Sequence, residues 1–271
     1  MTSRRARRGA ATLVLCLCLV AVLPVTACSV LAGSVHKPAA ADGPGNGPAK
    51  GAVKGAAKDG AKGGEAREAP SVVMFLGDSY TVGDRGVQPE STYASATARL
   101  FGWQVVVGGR SGTGYVVTGR GTQAFLSLFE SQLGWRPAPD MLIVSGGHND
   151  WRVPAPQVAA AAHLVLERAR QRWPGTRIVL LGPLWGTGSP VPGVIAIRDE
   201  LKRLAGQLGI PFIDPIGEKW ITGDRSAGTG NAVHFIKADR THPTPAGHRY
   251  VATRLAADIE RLGLAHPVRK G

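Results

Sequence analysis

From residue 72 onward, short runs of apolar residues recur without polar alternation, at 72–76, 104–107, 141–144, 177–181 and 210–213. A strand with one wet face alternates apolar and polar side chains. Strands that are apolar throughout belong to a parallel sheet covered on both faces. Helical patterns fall between these runs, near 91–101, 122–133, 155–172, 193–208 and 244–262, and Thr244-Pro245 supplies an N-cap followed by proline at the first helical position. Such alternation predicts one three-layer α/β/α domain with a parallel five-stranded sheet over 71–265, leaving 266–271 as a C-terminal tail. The 271-residue chain has room for one such domain and a long N-terminal segment.

That N-terminal segment has two parts. Arg4, Arg5, Arg7 and Arg8 precede an apolar stretch that breaks at Pro24, the order of an export signal. The stretch is too short and too lopsided for a mature membrane span. It ends in Val25-Thr26-Ala27-Cys28, which resembles the lipobox of bacterial lipoproteins. The expectation is a signal peptide over 1–27, with Cys28 lipidated and anchoring the mature chain to the cell membrane; two acyl chains suffice for stable anchoring. A plain secretory signal with an incidental Cys28 is the alternative, and the Arg4-Arg5 pair leaves the export route open. Residues 28–70, rich in Gly, Ala and Lys, lack the apolar mass to offset chain ordering and are expected to form a tether.

Composition then removes whole classes of chemistry. All three cysteines, Cys16, Cys18 and Cys28, precede the folded region, which excludes disulfides, cysteine–metal sites and thiol nucleophiles from it. The net charge is +13, yet no Lys/Arg run interleaved with aromatics marks a nucleic-acid face.

In parallel sheets, ligands sit beyond the carboxyl ends of the strands, so the polar residues following each strand carry the chemistry. The first strand runs into Gly77-Asp78-Ser79-Tyr80, which is either a capped turn or a presented hydroxyl. The second opens into Gly108-Gly109-Arg110-Ser111-Gly112-Thr113-Gly114, a loop able to aim backbone N–H groups at an anion. The third ends in Gly146-Gly147-His148-Asn149-Asp150, where an amide could donate to a developing oxyanion or simply form an Asx-turn. Near the C-terminus, Asp239 stands three residues before His242, close enough to orient its imidazole.

Taken together and in this order, the four blocks resemble the SGNH hydrolase superfamily, the GDSL-type esterases and lipases, over about residues 72–263. The resemblance implies a flavodoxin-like α/β/α fold and a serine ester hydrolase that needs no cofactor and no metal. It assigns Ser79 as nucleophile, His242 as general base and Asp239 as its orienting carboxylate. The oxyanion hole would combine the backbone N–H groups of Ser79 and Gly112 with the Asn149 amide; the loop also aligns on Gly109, so the glycine stays open. A serine hydroxyl needs a base to remove its proton, and the base needs a third group to fix its tautomer.

His148 and Trp185 are candidate substrate contacts, and His234 lies in a Gly-rich loop where it could also meet substrate. His163 and His248 sit on helical stretches and are expected to be solvated or packed, while Asp78 is expected to bond the turn. The expected substrate is a short-chain acyl or O-acetyl ester of a small molecule or glycan, and the expected place is extracytoplasmic. An O-acyltransferase on an envelope glycan uses the same triad, and a non-catalytic glycan-binding module keeps the same fold. Oligomeric state is open.

Overall fold

The computed structural model describes residues 69–84 and 86–270. The signal peptide, Cys28 and all but the last two residues of the tether lie outside them.

The chain runs β1 (Val72–Gly77), α1 (Ser79–Val82), a 3-10 turn (Pro89–Ser91), α2 (Tyr93–Phe101), β2 (Gln104–Gly109) and α3 (Phe125–Leu128), which continues as a π-helical turn (Phe129–Gly134). Then follow β3 (Met141–Ser145), α4 (Ala155–Arg172), β4 (Arg177–Leu181), α5 (Pro192–Leu208), β5 (Phe212–Ile213), α6 (Ala232–Phe235) and α7 (Pro245–Arg261). All five strands are parallel in the order β2-β1-β3-β4-β5. The chain leaves β1 to one side for β2 and then crosses back to β3, so the connections diverge at the carboxyl end of β1. A crevice opens at such a switch point, and Ser79 stands there.

Period-2 geometry splits each strand between two cores. Met74, Leu76, Leu142, Val144, Ile178 and Leu180 face α4 and α5, meeting Val165, Leu166, Ile197 and Leu201. Their neighbours Val73, Phe75, Met141, Ile143, Val179 and Leu181 face α2 and α7, meeting Tyr93, Val251, Leu255 and Ile259. Each fully buried aliphatic side chain contributes about 1.5–3 kcal/mol. This double burial explains the missing polar alternation in the sequence.

Three elements depart from the pattern read in the sequence. The run at 210–213 pairs as a strand only over Phe212–Ile213, because Pro211 has no N–H to donate, although its carbonyl still accepts from Leu180 N at 3.0 Å. The helix expected near 122 starts at Phe125, whose N–H is taken by Gly114 O at 2.9 Å, and its second half is a π-turn. A short helix, α6, interrupts the Gly-rich loop ahead of the Asp239–His242 block.

The segment after α7 lies against the start of the sheet. Trp103 Nε1 donates to Ala265 O at 2.8 Å, Arg177 Nε to Val268 O at 3.3 Å and Lys270 N to Gly175 O at 2.9 Å. Among the described residues, no helix is long and apolar enough to cross a membrane.

Candidate active site

Asp78 caps α1, its Oδ1 accepting from Tyr80 N at 3.0 Å, and the cap places Ser79 at the first position of the helix over the β1 edge. Ser79 Oγ lies 3.0 Å from His242 Nε2, and His242 Nδ1 lies 2.8 Å from Asp239 Oδ2. The fourth block is a closed turn. Asp239 Oδ1 accepts from the N–H groups of Thr241 (3.0 Å) and His242 (2.9 Å), while Lys237 N donates to His242 O at 2.8 Å. Burial raises the pKa of Asp239, but the hydrogen bonds from the His242 ring and from these backbone N–H groups outweigh it and hold the carboxylate at about 2. It is therefore ionised whenever the imidazole must be oriented.

The first and fourth blocks are also clamped to each other: the phenol of the buried Tyr80 donates to Thr241 O, next to His242. Tyrosine at this position thus locks the histidine turn onto α1, the helix that carries Ser79, a role its sequence context does not reveal.

The second block resolves which glycine is free. Gly109 ends β2 beside Gly77 with φ +133°, and a Cβ there would lie 1.8 Å from Gly77 O, so only glycine fits. Its N–H is already given to Gln132 Oε1 at 2.7 Å, a side chain that the π-turn brings over β2. Gly112, at φ +76°, forms the tip of the loop. Among the described residues, the N–H groups of Ser79 and Gly112 have no hydrogen-bond partner.

Asp150, to which sequence reasoning gave no role, organises this loop. It is wholly buried and accepts from Tyr115 N (2.9 Å), Val116 N (3.1 Å) and Val117 N (2.9 Å). These partners lie more than thirty residues upstream, so only its position beside Asn149 could have drawn notice. Asn149 Nδ2 donates to Thr113 O at 2.9 Å and sits 3.4 Å from Asp78 Oδ2. Desolvation pushes the Asp78 carboxyl up to about 7, opposed by its bond from Tyr80 N and reinforced by the Asp150 charge. As expected from its place in the turn, Asp78 bonds backbone there.

His148 follows β3 with Nδ1 2.9 Å from Leu184 O, its ring 5.4 Å from that of Tyr80 and 4.9 Å from that of Trp185. Burial lowers its pKa to about 4, which leaves a neutral ring that donates to the carbonyl. His148, Trp151, Trp185, Thr187, Arg240 and Thr241 border a groove of about 320 Å³ beside the Asp239–His242 turn. Arg240 adopts φ +59° and pairs with Asp224 at 2.6 Å. His248 is packed, with Nδ1 accepting from Tyr93 N at 3.2 Å, whereas His234 is exposed on α6.

Residues 75–250 match the GDSL-like lipase/acylhydrolase family. The chain belongs to that family. It is an SGNH-type ester hydrolase. It is similar to the GDSL lipase Rv0518 of Mycobacterium tuberculosis, with 30% identity over 194 residues that cover 68% of this chain and 79% of that one. Its fold is similar to that of a family two carbohydrate esterase from Clostridium thermocellum solved with cellohexaose, at TM-score 0.57 and 20% identity, covering 72% of this chain and 66% of that one. It is similar too to the inhibitor-bound aryl esterase of M. smegmatis, at TM-score 0.52 and 17% identity, covering 71% of this chain and 99% of that one. The family match over residues 75–250 spans all four blocks, from Ser79 to His242.

Proposed function

We propose that this esterase removes short acyl groups, acetyl foremost, from esters of small alcohols or glycans through an acyl-Ser79 intermediate, outside the cytoplasm and tethered to the membrane by a lipid on Cys28. The observation that carries the chemistry is the continuous chain from Ser79 Oγ to His242 Nε2 at 3.0 Å and from Nδ1 to Asp239 Oδ2 at 2.8 Å. The Ser79 proton passes to Nε2 as Oγ attacks the ester carbon, and the imidazolium then gives that proton to the leaving alkoxide. Water repeats the cycle on the acyl-enzyme, with His242 again as base.

The N–H groups of Ser79 on α1 and of Gly112 in the second-block loop serve as oxyanion donors. The Asn149 amide supplies a third, through the hydrogen that faces Asp78 only at 3.4 Å. One such donor is worth about 10²–10³ in turnover. The groove bordered by Trp185 and Arg240 is modest in size and partly polar, which suits a small acyl ester on a sugar-sized alcohol better than a long lipid chain. Carbohydrate esterases among the structural neighbours support the same substrate class. The basic, apolar and lipobox-like order of residues 4–28 supports the location.

The experiment is hydrolysis of p-nitrophenyl acetate and of acetylated glycan by wild type, Ser79→Ala and His242→Ala. Turnover is expected to fall by at least about 10³-fold in both variants. Ser79→Ala that turns over at the wild-type rate would refute the mechanism.

A further inference from the structure

His242 meets not one carboxylate but two. Asp239 holds Nδ1 at 2.8 Å, and Asp84 Oδ2 lies 3.2 Å from Nε2, the nitrogen that also faces Ser79 Oγ at 3.0 Å. The second contact is built into the fold. Asp84 directly follows Gly83, the C-cap of α1 at φ +89°, and its carbonyl accepts from Val87 N at 3.2 Å. Lys237 Nζ donates to the same carbonyl at 3.2 Å and so ties the Asp84 backbone to the histidine turn.

A carboxylate on Nε2 distinguishes the protonation states of the ring in a way that one on Nδ1 does not. When the imidazole is neutral with its hydrogen on Nδ1, Nε2 is a bare lone pair, and no hydrogen lies between it and Asp84. When Nε2 carries a proton, a charge-assisted N–H···O bond forms. Asp84 therefore stabilises only the imidazolium. During turnover this is the species made when the Ser79 O–H bond breaks and the Nε2–H bond forms; the proton later leaves with the alcohol, and Asp84 itself gains none. In the resting enzyme in acid it is the state in which His242 has no lone pair for Ser79.

We infer that Asp84 is a positioning residue for His242 Nε2, and that by holding the ring's proton it sets the pH below which the esterase stops working. This rests on His242 being the general base. Other groups face the ring from each packed element. The Tyr80 ring of α1 lies 6.0 Å away and stays un-ionised, its pKa driven well above the ordinary value by burial. His148 after β3 and His248 on α7 are both held neutral above about pH 4 by burial. Asp239 and Lys237 share the turn of His242, while the nearby Arg240 is paired with Asp224 at 2.6 Å. Asp78, pushed up to about 7 by desolvation, faces Tyr80. These neighbours are common to the wild type and the variant below, so the difference between the two reports Asp84.

The test is the pH dependence of kcat/KM for p-nitrophenyl acetate in wild type, Asp84→Asn and His242→Gln. An opposite charge this close shifts a titration by about 1–3 units, and the partial exposure of both side chains, 29% and 14%, places the effect at the lower end. Asp84→Asn is expected to move the acid limb down by about one pH unit, making the variant roughly tenfold more active relative to its own plateau on that limb, and to lower the plateau itself. A residue that merely shaped the loop would lower the rate at every pH without moving the limb. An acid limb that stays in place or moves up overturns the inference. Should Asp84→Asn fail to fold, Asp84→Ser, which leaves the space to water, carries the same expectation. If His242→Gln remains active, the base assignment itself has failed; if it is inactive while the Asp84→Asn limb is unmoved, only the role of Asp84 has.

Discussion

Replacing Asp150 by asparagine should damage both stability and turnover, although Asp150 touches none of Ser79, His242 and Asp239. Its two oxygens satisfy three consecutive backbone N–H groups, Oδ2 taking Tyr115 and Oδ1 taking Val116 and Val117. Asparagine in its better orientation keeps the Oδ1 pair and turns an NH2 against Tyr115 N–H. One hydrogen bond to a charged group, about 1.5–3 kcal/mol, is lost, and a buried donor is orphaned at about 1–3 kcal/mol, for a net cost of about 2.5–6 kcal/mol. Because these three residues close the loop that carries Gly112, the Gly112 N–H should also drift from its aim, costing about 10–100-fold in kcat, less than full loss of an oxyanion donor. Urea unfolding and p-nitrophenyl acetate turnover of the variant beside wild type measure the two effects. An unfolding free energy within about 0.5 kcal/mol of wild type, with kcat unchanged, would refute the account of how this loop is held.

Asp78→Asn should change the pH dependence of stability. Desolvation raises the folded pKa to about 7 from an ordinary carboxylate value, so the stability linked to Asp78 is fully present below about pH 4 and is lost as pH rises through 7, by at most about 4 kcal/mol. Asparagine keeps the cap acceptor for Tyr80 N without the charge, so melting temperatures of the variant relative to wild type should climb from pH 5 to pH 8; parallel profiles would count against a buried, neutralised Asp78. The buried His148 and His248 have the opposite slope, since their lowered pKa values lose stability as pH falls from about 6.5 toward 4, but both proteins share it. Cys28→Ser expressed in the native host should abolish incorporation of labelled palmitate and release the chain from the membrane fraction, whereas unchanged membrane retention would leave the lipid anchor without support.

The architecture and the grouping of Ser79, Asp239 and His242 are legible in the sequence, for local reasons. A strand buried on both faces must be apolar at every position, so β1, β3 and β4 announce a parallel sheet before any contact is known. Once the sheet is parallel, Ser79, Asn149 and the loop after β2 must gather at one edge. Asp239 and His242 were legible as a pair because three residues separate them and their turn closes on itself. The extent of β5 was partly legible, with Pro211 in plain sight as a residue unable to donate.

The remaining contacts join atoms that chain spacing does not relate. Gly109 and Gly112 are equivalent in sequence until Gln132, 23 residues on, takes the Gly109 N–H. Tyr80 is only the last residue of the first block until its phenol reaches Thr241, 161 residues away. Asp150 is silent until its backbone partners 33–35 residues earlier fold over it. Asp84 is one more surface-type acid in a turn until α7 and the turn before it bring His242 Nε2 within 3.2 Å. Periodicity and local spacing set which elements form and where their ends point; which atoms then share a hydrogen bond is fixed by close packing between elements, and that information exists only once the chain has folded.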